Sequence, residues 1–293
     1  MTSHDGGDAW VRAMPLVFVL IWSTGFIVAR YGMPHAPPMK FLVLRYALSI
    51  LCFLPWIALA GVSWPTSRRQ WLHLSVTGVF MHAGYLGGVW AAVKAGMGSG
   101  LSALIVGLQP VLTAVWLSST GGRVSSRQWI GLGLGFAGLL LVLSHKLEQG
   151  GEVSPYTVSM AVLALLSITI GTLYQKRFVA PCDVRSANAV QLLAALAVSL
   201  PLAWLETEAI AWNVEFAAAM AWSVLALTLG GSSLLYLLIQ RGAATSVTSL
   251  LYLVPPSTAV LAWLLFAEPI TVATLSGIAL TALGVSWVVR SRR

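Results

Sequence analysis

Hydrophobic residues in this chain run in blocks of about twenty, rather than in the one-sided stripes of a helix that faces water. Read between charged or Pro/Gly-rich interruptions, the blocks number ten, with approximate limits 14–31, 39–60, 70–93, 99–119, 127–145, 155–177, 186–205, 216–239, 245–266 and 271–290. A helix needs about 20 apolar residues to cross about 30 Å of hydrocarbon, so each block predicts a membrane span. The expected fold is all-α, a polytopic membrane protein of ten transmembrane helices. Its connections are too short to hold a soluble domain.

Composition agrees with this pattern. Apolar residues make up 58% of the 293 and charged ones 9%, and the mean hydropathy is +0.84, whereas soluble domains carry about 25% charge. The opening MTSHDGGDAWVRA is polar, and the apolar run behind it lacks an A-x-A site. The first block therefore reads as a retained span and not a cleaved signal. Cys52 within a span and Cys182 in a loop form no C-x-x-C and suggest no bridge.

A net charge of +8 raises the question of nucleic acid, but its placement answers otherwise. With the N-terminus inside, basic residues such as Arg68, Arg69, Arg123, Arg127, Lys176, Arg177 and Arg185 gather on the cytoplasmic side. Glu148, Glu152, Glu206, Glu208, Glu215 and Glu268 fall outside. This is the positive-inside bias; it predicts both termini in the cytoplasm and no nucleic-acid partner.

An offset of 146 residues brings seven Gly or Pro positions into register without a gap, among them Gly25 with Gly171, Pro55 with Pro201, Pro110 with Pro256 and Gly138 with Gly284. Chance predicts about one such match, so the chain reads as a repeat. The expected units are residues 1–146 and 147–293, five spans each. Because five is odd, the second unit enters the membrane from the opposite side, and inverted repeats of this kind typify secondary transporters. Pro110 lies near the middle of the fourth block, and Pro255 and Pro256 near the middle of the ninth. Each removes an amide donor and frees the carbonyl four residues back, and such carbonyls avoid lipid. These three prolines are the expected hinges.

The paired stretches QPVLTAVW and LVPPSTAVLAWLLFAEPIT and the closing Gly131–Gly138 and Gly277–Gly284 segments resemble the drug/metabolite transporter superfamily, specifically its EamA family. The likeness covers essentially the whole chain. Glu268, in an Ala-Glu-Pro, faces a Ser-Thr-Gly-Gly at 119–122 in the first half, so the repeat gives it no counterpart. The resemblance, with the aromatic-rich interior closest to the YddG-type amino-acid exporters, implies export of small metabolites from a bacterial cell across its inner membrane.

Candidate substrate contacts follow from helical spacing. Gly78, His82, Leu86, Trp90 and Lys94 form one stripe of the third block, and Val224, Thr228, Ser232, Tyr236 and Gln240 form its repeat mate; intramembrane polar groups usually face the bundle interior. Trp90 and Tyr236 are read as rims of a central cavity, or else as interfacial anchors. Ser102, Gln109, Thr113 and Trp116 share a face of the fourth block. The substrate-binding candidates are thus His82, Tyr85, Trp90, Gln109, Thr113, Trp22, Ser232, Tyr236 and Tyr252, with no metal, cofactor or catalytic group expected. His82 is the only ionisable group read near a span centre, and Arg45 is read as snorkelling to the outer surface.

All nine carboxylates lie in loops or at span ends. A proton-coupled drug or cation antiporter, the runner-up, lacks its mid-membrane acid. A nucleotide-sugar exchanger lacks its basic cluster. The G-x-G-x-x-G of 133–138 follows no strand and reads as close helix packing. An intramembrane hydrolase would need Ser99 beside His82, about 17 residues earlier in another span. What remains is a carrier of small metabolites, most simply amino acids with apolar or aromatic side chains. It would work by alternating access without a coupling carboxylate, its partners a small solute and the bilayer, with a monomer as the working state.

Overall fold

The structure is a computed structural model, and it describes residues 5–120, 125–240 and 253–290. All regular structure among these residues is helical: α1 Asp5–Gly32, α2 Pro38–Leu59, α3 Arg68–Gly78, α4 Tyr85–Lys94, α5 Ser99–Val106, α6 Gln109–Ser119, α7 Ser126–Gln149, α8 Pro155–Phe178, α9 Val184–Leu205, α10 Val214–Trp222, α11 Ser233–Gln240, α12 Val254–Phe266 and α13 Val272–Arg290. Helix starts are written locally. Ser67, Asp183 and Asn213 each accept a first-turn amide with the side chain, Ser154 and Thr157 form a reciprocal capping box, and Pro38 opens α2.

Seven helical stretches among the described residues are long and apolar enough to cross a membrane, and three further apolar helices are shorter. Leu51, Leu140, Leu163, Leu200 and Leu264 are 46–63% exposed on the outside of the bundle, while Ser23, Arg45, Ser49, His82, Asn188 and Gln191 are buried. Polar inside and apolar outside inverts the soluble pattern and fits lipid as the solvent. Cys52 and Cys182 form no disulfide.

Two pairs of helices repeat at the spacing seen in the sequence: the limits of α9 fall 146 residues after those of α2, and the limits of the stretch Val214–Gln240 fall 146 after those of Arg68–Lys94. Both long stretches are wound wider in the middle, with π-type turns over Val79–Gly84 joining α3 to α4 and over Ser223–Ser232 joining α10 to α11. Helix α2 packs on α9, and α7 on α13. The second pair meets through glycine: a Cβ on Gly138 would lie 2.6 Å from the Gly277 carbonyl oxygen, and one on Gly284 would lie 2.3 Å from that of Gly131. Only hydrogen fits there. Gly138 thus has the packing role read for it in the sequence.

The fourth predicted span is interrupted where Pro110 demands it. Helix α5 ends at Val106, Gly107 and Leu108 form a turn, and α6 restarts with Pro110 in its first turn. Helix α12 likewise starts with Pro255 and Pro256 in its first turn. The interruption meets the start of α12, since a Cβ on Gly107 would sit 2.7 Å from Pro255 Cγ. Because of the interruption, Ser102 and Trp116 do not share a face as spacing on one straight helix predicts: Ser102 is fully buried and Trp116 is 56% exposed.

Candidate functional site

A cavity lies between α1, α2, the π-wound third stretch and its repeat mate. Its aromatic wall is Trp22 and Phe26 from α1 with Tyr85 and Trp90 from α4; Arg45, His82 and Ser232 supply polar groups. Trp22 stacks on Tyr85 with centroids 6.0 Å apart and planes within 5°, and Phe18 lies 5.0 Å behind it. Trp90 is held against Phe41 at 4.3 Å. Such a wall offers flat, rigid apolar area with little side-chain entropy left to lose.

The π turns shape the polar side. A π turn adds one residue per turn and shifts the side chains beyond it around the helix. Met81, His82, Tyr85, Leu86, Val89 and Trp90 all reach the cavity, more than one four-residue stripe could deliver. Tyr46 Oη donates to the His82 carbonyl at 2.9 Å. Across the cavity, Thr228 Oγ1 donates to the Ser223 carbonyl and Ser232 Oγ to the Leu227 carbonyl, both five residues back. Cross-bundle bonds hold α1 at this level, from Ser99 Oγ to the Phe26 carbonyl and from Thr258 Oγ1 to the Ser23 carbonyl.

Arg45 corrects the sequence reading. It does not snorkel: it is 4% exposed, lines the cavity, and Nε donates to Thr228 Oγ1 at 3.0 Å. Helix α9 and the second π stretch pack on α2, so the route to the surface that the helix end implies is covered. No carboxylate pairs with Arg45 among the described residues. The clue was present as a charge away from the ends of a 22-residue apolar helix whose other charge, Lys40, sits in its first turn, a rarity that marks function by default. His82 is therefore not alone near mid-span.

Of the candidates from sequence, the cavity gathers Trp22, His82, Tyr85, Trp90 and Ser232. It leaves out three. Gln109 Nε2 donates to Thr172 Oγ1 of α8 at 3.2 Å, Thr113 is half-buried on α6, and Tyr236 meets Cys182 Sγ at 3.0 Å in a cluster with Leu74, Ala187 and Val190. Tyr252 lies outside the described residues. The cavity also recruits Gly25 and Leu227, whose identities carry no chemical signal. Ser99, weighed as a nucleophile, is spent on the Phe26 carbonyl and does not line the cavity.

One end of the bundle is tied across the two halves by charge. Glu268 pairs with Arg30 and accepts the amides of Ser99 at 3.1 Å and Gly100 at 3.5 Å, at the start of α5. Lys94 pairs with Glu208 at 2.6 Å, His35 with Glu215 at 2.8 Å, and Glu206 accepts the amides of Met39 and Lys40. Glu268, without a counterpart in the repeat, has its role here in the contact between the halves. At the other end, Asp183 caps α9 and pairs with Arg185 at 2.8 Å; hydrogen bonds from Arg185 hold its carboxyl below the ordinary carboxylate value.

A helical bundle with an apolar rim, an interrupted span and an aromatic cavity is the architecture of a membrane transporter. The EamA-like transporter family matches residues 9–144 and again 155–290, and the chain belongs to that family. It is 26% identical over 178 residues to the inner membrane transporter YedA of Escherichia coli (strain K12), a stretch spanning 60% of this chain and 56% of YedA, so little more than half of that relative is matched. The transporter YvbV of Bacillus subtilis is 26% identical over 92% of this chain and 88% of its own. A "probable amino-acid metabolite efflux pump" of Escherichia coli is 23% identical over 69% and 63%. A solved structure recorded as "Crystal structure of protein" superposes with a TM-score of 0.70 at 19% identity over 94% of each chain, a likeness of fold.

Proposed function

We propose that the protein exports amino acids with apolar or aromatic side chains from a bacterial cell across the inner membrane. In this reading the ten apolar stretches are ten spans, residues 1–146 and 147–293 are inverted five-helix halves, and both termini face the cytoplasm. The observation that carries it is the aromatic cavity, walled by α1, α2, the third stretch and the second π turn. Trp22, Tyr85 and Trp90 supply the surface an apolar side chain would bury. Alternating access would rock the halves about the Gly107–Pro255 contact, opening the Arg30–Glu268 end as the other closes. No carboxylate lines the cavity, so transport would be facilitated diffusion. The name of one relative, a "probable amino-acid metabolite efflux pump", leans the same way.

Proteoliposomes loaded with labelled phenylalanine test this. Release above that of empty vesicles, persisting without an ion gradient, is expected. No release of any amino acid, with release of a lipophilic cation under a pH gradient, would replace the reading with proton-coupled cation export.

A further inference from the structure

We propose that Arg45 is the anchor for the substrate's carboxylate, so that the solute must carry an anionic group next to its apolar body. This rests on the carrier reading and adds the chemistry of the solute's polar end. Arg45 is 4% exposed. Among the described residues its one hydrogen bond goes from Nε to a neutral hydroxyl, and neither terminal nitrogen is buried away from both space and partners. The two Nη groups therefore reach the cavity that Arg45 lines. Thr228, fixed in turn to the Ser223 carbonyl, holds the guanidinium by its inner edge and leaves the end-on fork free. That fork matches a carboxylate in two parallel hydrogen bonds.

A guanidinium kept in a bundle interior without an anion carries a desolvation cost, and the described residues supply no acid to offset it. A carboxylate arriving with the solute supplies the missing charge. The same charge repels an organic cation, which sets the cavity against the substrates of a cation exporter. The aromatic wall and the fork together specify an aryl or alkyl carboxylate, such as an α-amino acid held by its carboxyl end.

The test uses counterflow of labelled phenylalanine in proteoliposomes of the full chain, with 3-phenylpropionate (carboxylate, no amine) and 2-phenylethylamine (amine, no carboxylate) as competitors. The wild type should be inhibited by the carboxylate at least tenfold more strongly than by the amine. Arg45→Gln should lose about 10–100-fold in phenylalanine transport, as expected for a lost charge-assisted pair, and should no longer discriminate between the competitors. Arg45→Lys, which keeps the charge without the fork, should fall between. Equal inhibition of the wild type by both competitors overturns the anchor without needing a folded variant, and so does Arg45→Gln moving phenylalanine at the wild-type rate; either result leaves the carrier reading standing. If the wild type moves no amino acid, the amino-acid reading fails and counterflow of 3-phenylpropionate decides: movement by the wild type but not by Arg45→Gln upholds the anchor, and no movement sinks it.

Discussion

The pair α7–α13 and the two π-wound stretches solve opposite problems. In α7–α13, Gly138, Gly277 and Gly284 let backbones meet with no room for a methyl group. The π-wound stretches instead leave a gap between themselves and α1, place His82, Tyr85 and Trp90 in it, and satisfy hydroxyls against carbonyls five residues back. The comparison teaches that a glycine has one meaning where backbone opposes it and another where space does. Close packing without a hydrophobic driving force holds the first region rigid; altered winding aims side chains in the second.

Substituting glycine in each region is the sharpest way to break the comparison. Gly284→Leu would press a side chain into the Gly131 carbonyl, and overpacking on that scale costs about 1–3 kcal/mol or more. The expected outcome is loss of monodisperse protein on size exclusion in detergent. Gly25 lines the cavity, and an added Cβ there meets nothing closer than Leu227 at 3.7 Å. Gly25→Leu should leave the melting temperature near that of the wild type while reducing phenylalanine transport about tenfold, roughly the effect of 1.4 kcal/mol. If both variants fold and transport alike, the division between scaffold and cavity is wrong.

A smaller effect is expected from Trp22→Phe, which keeps an aromatic ring but loses stacked area against Tyr85. About a threefold rise in the half-saturating phenylalanine concentration should appear in a transport titration, since an aromatic pair contributes about 0.5–1.5 kcal/mol. Glu268→Gln should act at the bundle end and not in the cavity. It removes the charge opposite Arg30 but keeps an acceptor for the Ser99 amide, so the maximal rate should change by about twofold, consistent with a partly exposed pair, and half-saturation should not. A change in half-saturation alone would remove Glu268 from the gate.

The smallest effect tests charge outside the cavity altogether. Asp183 has its folded-state pKa held down by hydrogen bonds from Arg185, so its contribution is present above the ordinary carboxylate pKa and is lost as pH falls through the folded value. Melting temperatures measured between pH 6 and pH 3 should show a slightly shallower loss for Asp183→Asn, which keeps the helix cap but not the charge. An unchanged slope would mean that the Arg185 pair adds nothing measurable.

Much of the fold was legible because hydrocarbon is a severe solvent. Span-length apolar blocks and the break at Pro110 follow from backbone hydrogen bonds that lipid cannot satisfy, and the Gly138 crossing from close packing through small residues. The cavity was legible in part: His82, Trp90 and Ser232 came from stripe spacing, whereas Gln109, Thr113 and Tyr236 were placed by the same logic and point elsewhere. A single residue of extra winding, or a two-residue break at Gly107–Leu108, rotates everything beyond it, and spacing along the chain cannot register that rotation. Arg45 was misread because distance to its own helix end ignored the helices packed over it.

By itself the sequence determined solvent, helix content, the 146-residue repeat and the interruption before Pro110, because these depend on local backbone chemistry and on the length of chain that fits a bilayer. Only the tertiary structure decided that Arg45 faces inward with no acid beside it among the described residues, that the break at Gly107 meets Pro255, and that Glu268 joins the halves. Each of these depends on which distant helix fills the space beside a residue, and that is set by packing of the whole bundle rather than by any stretch within it.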